Sequence, residues 1–208
     1  MIRAYATLIT GALAKTSKMP CYSWDIPAKN CKAGGLYSTY ENAICNKKNC
    51  YAKKGRSNFP KTQNAQTRRL EAWRSNQPLV WTEGMIWLLN HQKKNYFRWF
   101  GAGDIQGEAM LEAIYKVCRA TPHIHHWLPT LERGIVLKVN SKTTQPDNLC
   151  IRFSSPFIDK PSTSKYPISW VTTDPKQVTC QATLTRSTCE NCRDCWDPSV
   201  TTIVYNKH

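Results

Sequence analysis

The chain has 208 residues, of which 41% are hydrophobic, 11% are aromatic and eight are Trp. That apolar content can build a buried core and excludes a wholly disordered chain, while no apolar run approaches the roughly 20 residues of a membrane-spanning helix. Lys and Arg number 29 against 14 Asp and Glu, and the formal charge of +15 predicts attraction to polyanions, nucleic acid first among them.

The first residues, Met1-Ile2-Arg3 and then Ala4 to Ala14, loosely imitate a signal peptide, with Ala12-Leu13-Ala14 in the place of a cleavage site. Thr7, Thr10 and Gly11 dilute the apolar stretch, and a reducing cytoplasm is the expected compartment. Through residues 1–60 the chain is punctuated by Pro20, Pro27, Gly34, Gly35, Gly55 and Pro60, which predicts a loop-rich segment pinned by something other than a continuous core. The pattern turns helical from Thr62 to about Trp73, and Pro78 reads as an interruption. A second helix is expected from Thr82, as N-cap, to His91, with Met85, Ile86, Leu88 and Leu89 on its apolar face.

Tyr96–Phe100 reads as a strand, Gly101–Asp104 as a turn and residues 107–119 as an amphipathic helix. Thr121-Pro122 breaks that helix, and another strand begins over His125–Leu128. Strand, turn, helix and strand make a βαβ unit, with parallel pairing and a right-handed crossover. Further strands are expected at Gly134–Val139, Leu149–Phe153 and Val200–Tyr205, and an extended loop over residues 156–175. The predicted class is α/β: a small, partly parallel sheet with loop-rich, cysteine-bearing segments at both ends. We read residues 1–208 as one domain, with parts at 1–60, 61–155 and 156–208.

Ten cysteines make metal binding the expected chemistry in a reducing compartment, and a disulfide framework the alternative in a secreted one. Cys180, Cys189, Cys192 and Cys195 form the more specific set. A cysteine at every third position lets one tight loop aim successive thiolates at different corners of an iron–sulfur cluster, and Cys180 supplies the fourth corner. Four thiolates also satisfy tetrahedral zinc, although zinc ribbons usually separate two Cys-x2-Cys knuckles by a longer span. Cys31, Cys45 and Cys50, with Cys21 upstream, make a looser set that suits a cluster with one open iron or a structural zinc. Cys118 and Cys150 lie in apolar patterns and read as core. Lys53, Lys54, Arg56 and Arg193 place positive charge beside the thiols.

Arg98, Gly103, Asp104 and Gln106 fall at the carboxyl end of the first clear strand, the edge at which parallel sheets bind ligands; Arg98, Gly103 and Asp104 are the candidate cofactor-binding residues. The alternative for Asp104 is a cap of the following helix. Thr130 and Glu132 follow the next strand and are candidates to support Asp104. On a strand His123 and His125 point away from His126, so the three cannot converge on one ion.

Four segments occur in this order: CNKKNCYAKKG (Cys45–Gly55), YFRWFGAGDIQ (Tyr96–Gln106), WLPTLE (Trp127–Glu132) and CENCRDCWD (Cys189–Asp197). In combination they resemble the bacteriophage gene product eighty-eight family, over about Leu8 to His208. The resemblance implies a phage-encoded protein of the infected bacterial cytoplasm that carries iron–sulfur chemistry, with cysteine positions at Cys31, Cys45, Cys50, Cys180, Cys189, Cys192 and Cys195. It also makes the first 14 residues part of the fold. Phe100-Gly101-Ala102 departs from the more polar sequence of the family pattern. A more distant likeness is to radical S-adenosylmethionine enzymes, which place a cysteine trio early and a Gly-acidic turn after a parallel strand.

The expected function is a 4Fe-4S protein with a redox or electron-transfer role, a redox partner not identified by sequence, no membrane association and a monomeric state. The alternatives are a radical S-adenosylmethionine-like enzyme and a zinc-stapled basic protein that binds nucleic acid.

Overall fold

The computed structural model describes residues 1–207. One seven-stranded sheet runs through it in sequence order: β1 (Ala14–Lys15), β2 (Tyr22–Trp24), β3 (Tyr96–Trp99), β4 (His125–Thr130), β5 (Leu149–Ser154), β6 (Ile168–Thr172) and β7 (Thr202–Asn206). β1 is antiparallel to β2, and every neighbouring pair from β2 to β7 is parallel. The fold is α/β as expected, and more parallel than the single βαβ unit implied. Parallel neighbours cannot be joined by a hairpin, so each connection must cross over. Those crossovers carry the helices and the cysteine-bearing loops.

The helices are α1 (Arg3–Thr10), α2 (Lys32–Tyr37), α3 (Pro60–Ser75), α4 (Pro78–Asn90), α5 (Glu108–Ala120), α6 (Arg133–Asn140) and α7 (Gln181–Leu184). α5 has the strongest local logic: Met110, Leu111, Ile114, Tyr115, Val117 and Cys118 are buried on one side, Glu108 favours the amino end and Arg119 the carboxyl end. α1 packs against α4, so the apolar start of the chain is part of the fold.

Four expectations need correction. Pro78 begins α4 instead of interrupting the helical region, because a first-turn proline gives up an N–H that would be unpaired anyway; Thr82 lies inside that helix and bonds back to Pro78 O at 2.7 Å. Residues 134–139 belong to helix α6, not a strand. Val136 and Val139 are buried three apart while Leu137 is 55% exposed, a helical spacing that the β-branched composition concealed. Residues 156–175 include β6, whose turn-rich surroundings masked five strand residues. Residues 1–60 hold α1, α2 and two strands, the second of which is the first parallel strand of the sheet.

Alternation along the strands gives the sheet two distinct faces. Phe97, Trp99, Leu128, Ile151 and Phe153 join α4, α5 and α6 in the main core. Trp24, Trp81 and Trp99 are fully buried there, and Trp24 meets Trp81 edge-on at 5.2 Å between ring centroids. Each such side chain contributes about 1.5–3 kcal/mol on burial, enough to hold the ends of β2 and β3 rigid where the first cysteine loop departs. On the other face Trp127 forms a second apolar cluster with Cys21 and Trp196. No helix among the described residues is long and apolar enough to cross a membrane.

Candidate metal centre

The crossover after β2 carries Cys31, Cys45 and Cys50 over the carboxyl edge of the sheet. Cys31 immediately precedes α2, and Gly34 within that helix faces both other parts of the loop. A Cβ on Gly34 would stand 2.8 Å from Cys45 Sγ and 3.1 Å from Cys31 Cβ, so only glycine lets the two cysteines close on each other. Burial pushes the Cys31 thiol far above its ordinary range, and Asp104, Cys45, Cys50 and Glu132 add to the rise. Cys45 is pushed up to about 12, by burial first and then by Cys50 and Asp104, while Lys53 opposes the shift. Lys53 Nζ also donates to Cys45 O at 3.2 Å, placing one of the expected cations beside this set. The loop is stapled by two residues the sequence reading passed over. Asn46 Nδ2 donates to Ser38 O and Tyr40 O, and Asn49 Nδ2 to Glu41 O and Ala43 O. The two asparagines flanking Lys47-Lys48 were the available signal, since such side chains commonly satisfy loop carbonyls.

Asp104 is buried beside this loop and bridges two strand ends. Its Oδ1 accepts from Thr130 Oγ1 at 2.6 Å and Ile105 N at 2.8 Å, and its Oδ2 from Leu131 N at 2.9 Å. Burial nevertheless pushes its carboxyl up to about 7, against the pull of those donors. Thr130 Oγ1 accepts in turn from Glu132 N at 2.9 Å, and Glu132 Oε1 from Ala33 N at 2.7 Å. The carboxylates therefore tie β3 and β4 to the start of α2, and Thr130 and Glu132 support Asp104 as expected. Asp104 does not cap α5, whose N-cap position is Gly107. Gln106 Nε2 donates to Asn30 O at 3.1 Å, on the approach to Cys31. Gly103 has φ +82°, and a Cβ there would lie 2.2 Å from Ile26 Cγ1; its role in the structure is close packing of the turn on the segment after β2.

The second set lies across the face opposite the helices. Cys180 N donates to Val204 O at 3.0 Å and Cys189 N to Lys18 O at 2.8 Å, which fixes both ends of the segment to the sheet and its edge. Cys195 packs on the Cys21, Trp127 and Trp196 cluster, with its Sγ 3.5 Å from Tyr205 Oη. Burial pushes Cys195 up to about 12; the Tyr205 hydrogen bond pulls it down and Cys180 pushes it further up. Cys189 and Cys192 are also raised, by burial first, and Cys180 adds to the rise in both. Among the described residues no group of three or more His, Cys, Asp or Glu converges on a single-ion position.

Two arginines hold this face together. Arg152, missed by the sequence reading, is fully buried on β5. Its guanidinium donates to Ile168 O, Val200 O, Asp194 O and Asp197 O at 2.9–3.1 Å, clamping the 3-10 turn Asp194–Trp196 that bears Cys195. Arg98 lies on β3 with its guanidinium carbon 4.4 Å from the Trp127 ring centroid, and its Nη2 donates to Tyr51 Oη at 2.9 Å. Arg193 covers the Tyr96 ring at 5.1 Å and donates to Cys192 O. Cys118 is buried in the main core, as expected, and Cys150 is buried on β5 with its Sγ 3.8 Å from the Arg152 Nη2 that also holds Asp194 O and Asp197 O. His126 is buried at 2.9 Å from Thr121 Oγ1, whereas His123 and His125 are exposed, so the histidines do not come together.

A parallel α/β sheet with thiols gathered over its carboxyl edge and across its open face defines a cysteine-rich α/β protein built to place sulfur beside strand ends. The family model described as gene product 88 matches residues 2–198, and the chain belongs to that family of phage gene products. Comparison with curated proteins and with solved structures gives no match.

Proposed function

We propose that this is an iron–sulfur protein of the infected bacterial cytoplasm, with a redox role, whose first cluster is held by Cys180, Cys189, Cys192 and Cys195. The observation that supports it most is the spacing of this set on a tethered segment: Cys189, Cys192 and Cys195 fall at every third position, with Cys180 N held on Val204 O and Cys189 N on Lys18 O. Three cysteines in one run with a fourth from outside it suit the corners of a cubane, whereas zinc ribbons usually pair two Cys-x2-Cys knuckles across a longer span. Trp127, Trp196 and Tyr205 pack against Cys195, while Cys180 and Cys189 are half-buried and Cys192 is exposed. When bound, the cluster supplies one-electron transfer. The chain's part is to hold four thiolates, cover Cys195 with the tryptophans and fix the loop through Arg152.

A second reading draws on the Cys31, Cys45 and Cys50 loop. It offers three thiols at the strand edge where ligands bind, with Asp104 and Glu132 behind them, and three thiolates would leave one iron open to a substrate such as S-adenosylmethionine. Zinc-supported binding of nucleic acid through the basic surface stands behind both.

The test is anaerobic purification followed by iron, sulfide and zinc analysis with a visible spectrum, on the native chain and on Cys189→Ser/Cys192→Ser. About four iron and four sulfide per chain, lost or halved in the double variant, support the reading. Stoichiometric zinc without colour would sink it.

A further inference from the structure

Between Glu41 and Glu71 the chain carries eight Lys and Arg and no Asp or Glu, which is more than half of the formal +15 in one unbroken run. Lys47, Lys48, Lys54, Arg56, Lys61 and Arg68 are exposed, and none is neutralised: the ion pairs among the described residues are those of Glu108 with Lys138 and Lys142. The run is not a loose tether. Lys48 N donates to Asn46 Oδ1 at 2.9 Å, Lys53 Nζ to Cys45 O at 3.2 Å and Asn58 Nδ2 to Lys53 O at 2.9 Å, which ties the turn after Cys45 to the 3-10 turns Tyr51–Lys53 and Gly55–Asn58. α3 follows at Pro60, and Lys61, Asn64 and Arg68 stand on one exposed face of it, three and four residues apart. A fixed surface of like charges repels itself, and a polyanion relieves that repulsion. Two aromatic rings stand in the same run. Phe59 is 59% exposed directly before α3, its carbonyl accepting from Thr62 N and Gln63 N, and Tyr51 is 51% exposed with its hydroxyl tied to Gly101 O at 2.7 Å. The fold holds both residues in place and leaves their rings to solvent.

We propose that this surface binds single-stranded nucleic acid, with the cations meeting phosphates and Phe59 and Tyr51 stacking on unpaired bases. The proposal is independent of the iron–sulfur reading, since charge and rings act here without a cluster. Phosphate contacts alone would serve any polyanion, a duplex included; exposed rings among the cations add a contact that only an unpaired base can return. A bilayer fits this surface less well. Apart from Ala52, the residues between the two rings are Lys, Gly, Arg, Ser and Asn, which offer no continuous apolar face to insert. Neutralised phosphates release counterions, so affinity must fall with salt, by a log–log slope of about −0.7 for each contact on a single strand.

The experiment is fluorescence anisotropy of the anaerobically purified chain with labelled oligothymidylate and oligouridylate of about 15 nucleotides and with a duplex of the same length, over a range of salt. Binding to at least one of the single strands is expected, weakening steeply as salt rises. Phe59→Ala should weaken it roughly tenfold and leave duplex binding unchanged, and Phe59→Trp, which keeps a ring, should restore it. Lys54→Gln/Arg56→Gln/Lys61→Gln should weaken binding to every oligonucleotide and flatten the salt slope by about 2. Lys116→Gln/Lys165→Gln/Lys176→Gln makes the same change of charge at exposed positions outside the run and should cost far less. All these side chains are exposed, and circular dichroism melts should match the native chain. Equal losses in the two triple variants would reduce the effect to net charge and overturn the proposal. So would an unchanged affinity in Phe59→Ala, or no binding to either single strand at low salt. Binding to vesicles of phosphatidylcholine and phosphatidylglycerol in place of the oligonucleotides would assign the surface to a membrane and overturn it as well. Iron content tests the reading of the cysteines separately, because none of these substitutions removes a thiol.

Discussion

Gly34 and Cys45 are locked together: the space a Gly34 side chain would need, 2.8 Å from Cys45 Sγ, is already taken by the sulfur. Gly34→Ala is therefore expected to separate the two effects of glycine. Alanine favours the short helix α2 by about 1 kcal/mol, so the fold should survive with its melting temperature little changed. The displaced Cys45 should impair metal loading at the N-terminal set. Iron analysis of Gly34→Ala in a Cys189→Ser/Cys192→Ser background checks this, and full retention of any iron seen before substitution would count against Cys45 as a ligand.

Arg152 should matter to stability more than any exposed cation. Removing it strands four main-chain carbonyls that now share its guanidinium. Arg152→Leu is expected to cost about 2–4 kcal/mol, since each buried acceptor left without a donor is unfavourable and only part of the loop can turn to water. Urea denaturation at a constant m-value measures it. Arg152→Lys should recover little, because an ammonium cannot span the fork.

The assignment of residues 133–140 to a helix is testable by substitutions three apart. Val136 and Val139 are both fully buried and Leu137 is 55% exposed, whereas a strand would turn Val136 and Val139 to opposite faces. Val136→Asp and Val139→Asp should each destabilise strongly, by roughly 3 kcal/mol or more, and Leu137→Asp should stay within about 0.5 kcal/mol of the native chain. Circular dichroism and urea midpoints read all three. A large loss at only one of the two valines would contradict the helical packing.

Two buried titrating groups should oppose each other in the metal-free chain. Asp104 ionises near 7 in the fold against 3.8 ordinarily, so between these values the folded chain keeps a proton the unfolded chain has lost, and stability falls as pH rises. His126 is held neutral down to about 3 against 6.5 ordinarily, by burial first, so there stability falls as pH drops. Each slope approaches about 1.4 kcal/mol per pH unit, and between about pH 4 and pH 6.5 they largely cancel. In His126→Phe the Asp104 slope should stand alone, with stability declining toward neutral pH; Thr121 Oγ1 keeps its bond to Val117 O at 2.8 Å. In Asp104→Asn the opposite slope should appear. Urea midpoints across that range decide the signs.

Much of this molecule could be read locally. The apolar face of α5, the strand before it and the strand after it carry their periodicity within a dozen residues, and they identified the α/β class. The cysteine run from Cys189 to Cys195 announced itself by spacing, because thiol chemistry depends on short reach along the chain. Val136 and Val139 show the limit of that reading: β-branched residues concealed a helix whose identity rests on the burial of both, three apart.

What the tertiary structure alone decided concerns groups that meet over long separations. That Asp104 spans to Thr130 rather than capping α5, that Arg152 gathers the carbonyls of residues 194–200, and that Arg98 stands between Tyr51 and Trp127 all depend on parallel pairing through crossovers. Sequence determines which side chains can accept, donate or carry charge; only the closed fold, by excluding water and choosing the neighbours, determines which of them must find one another.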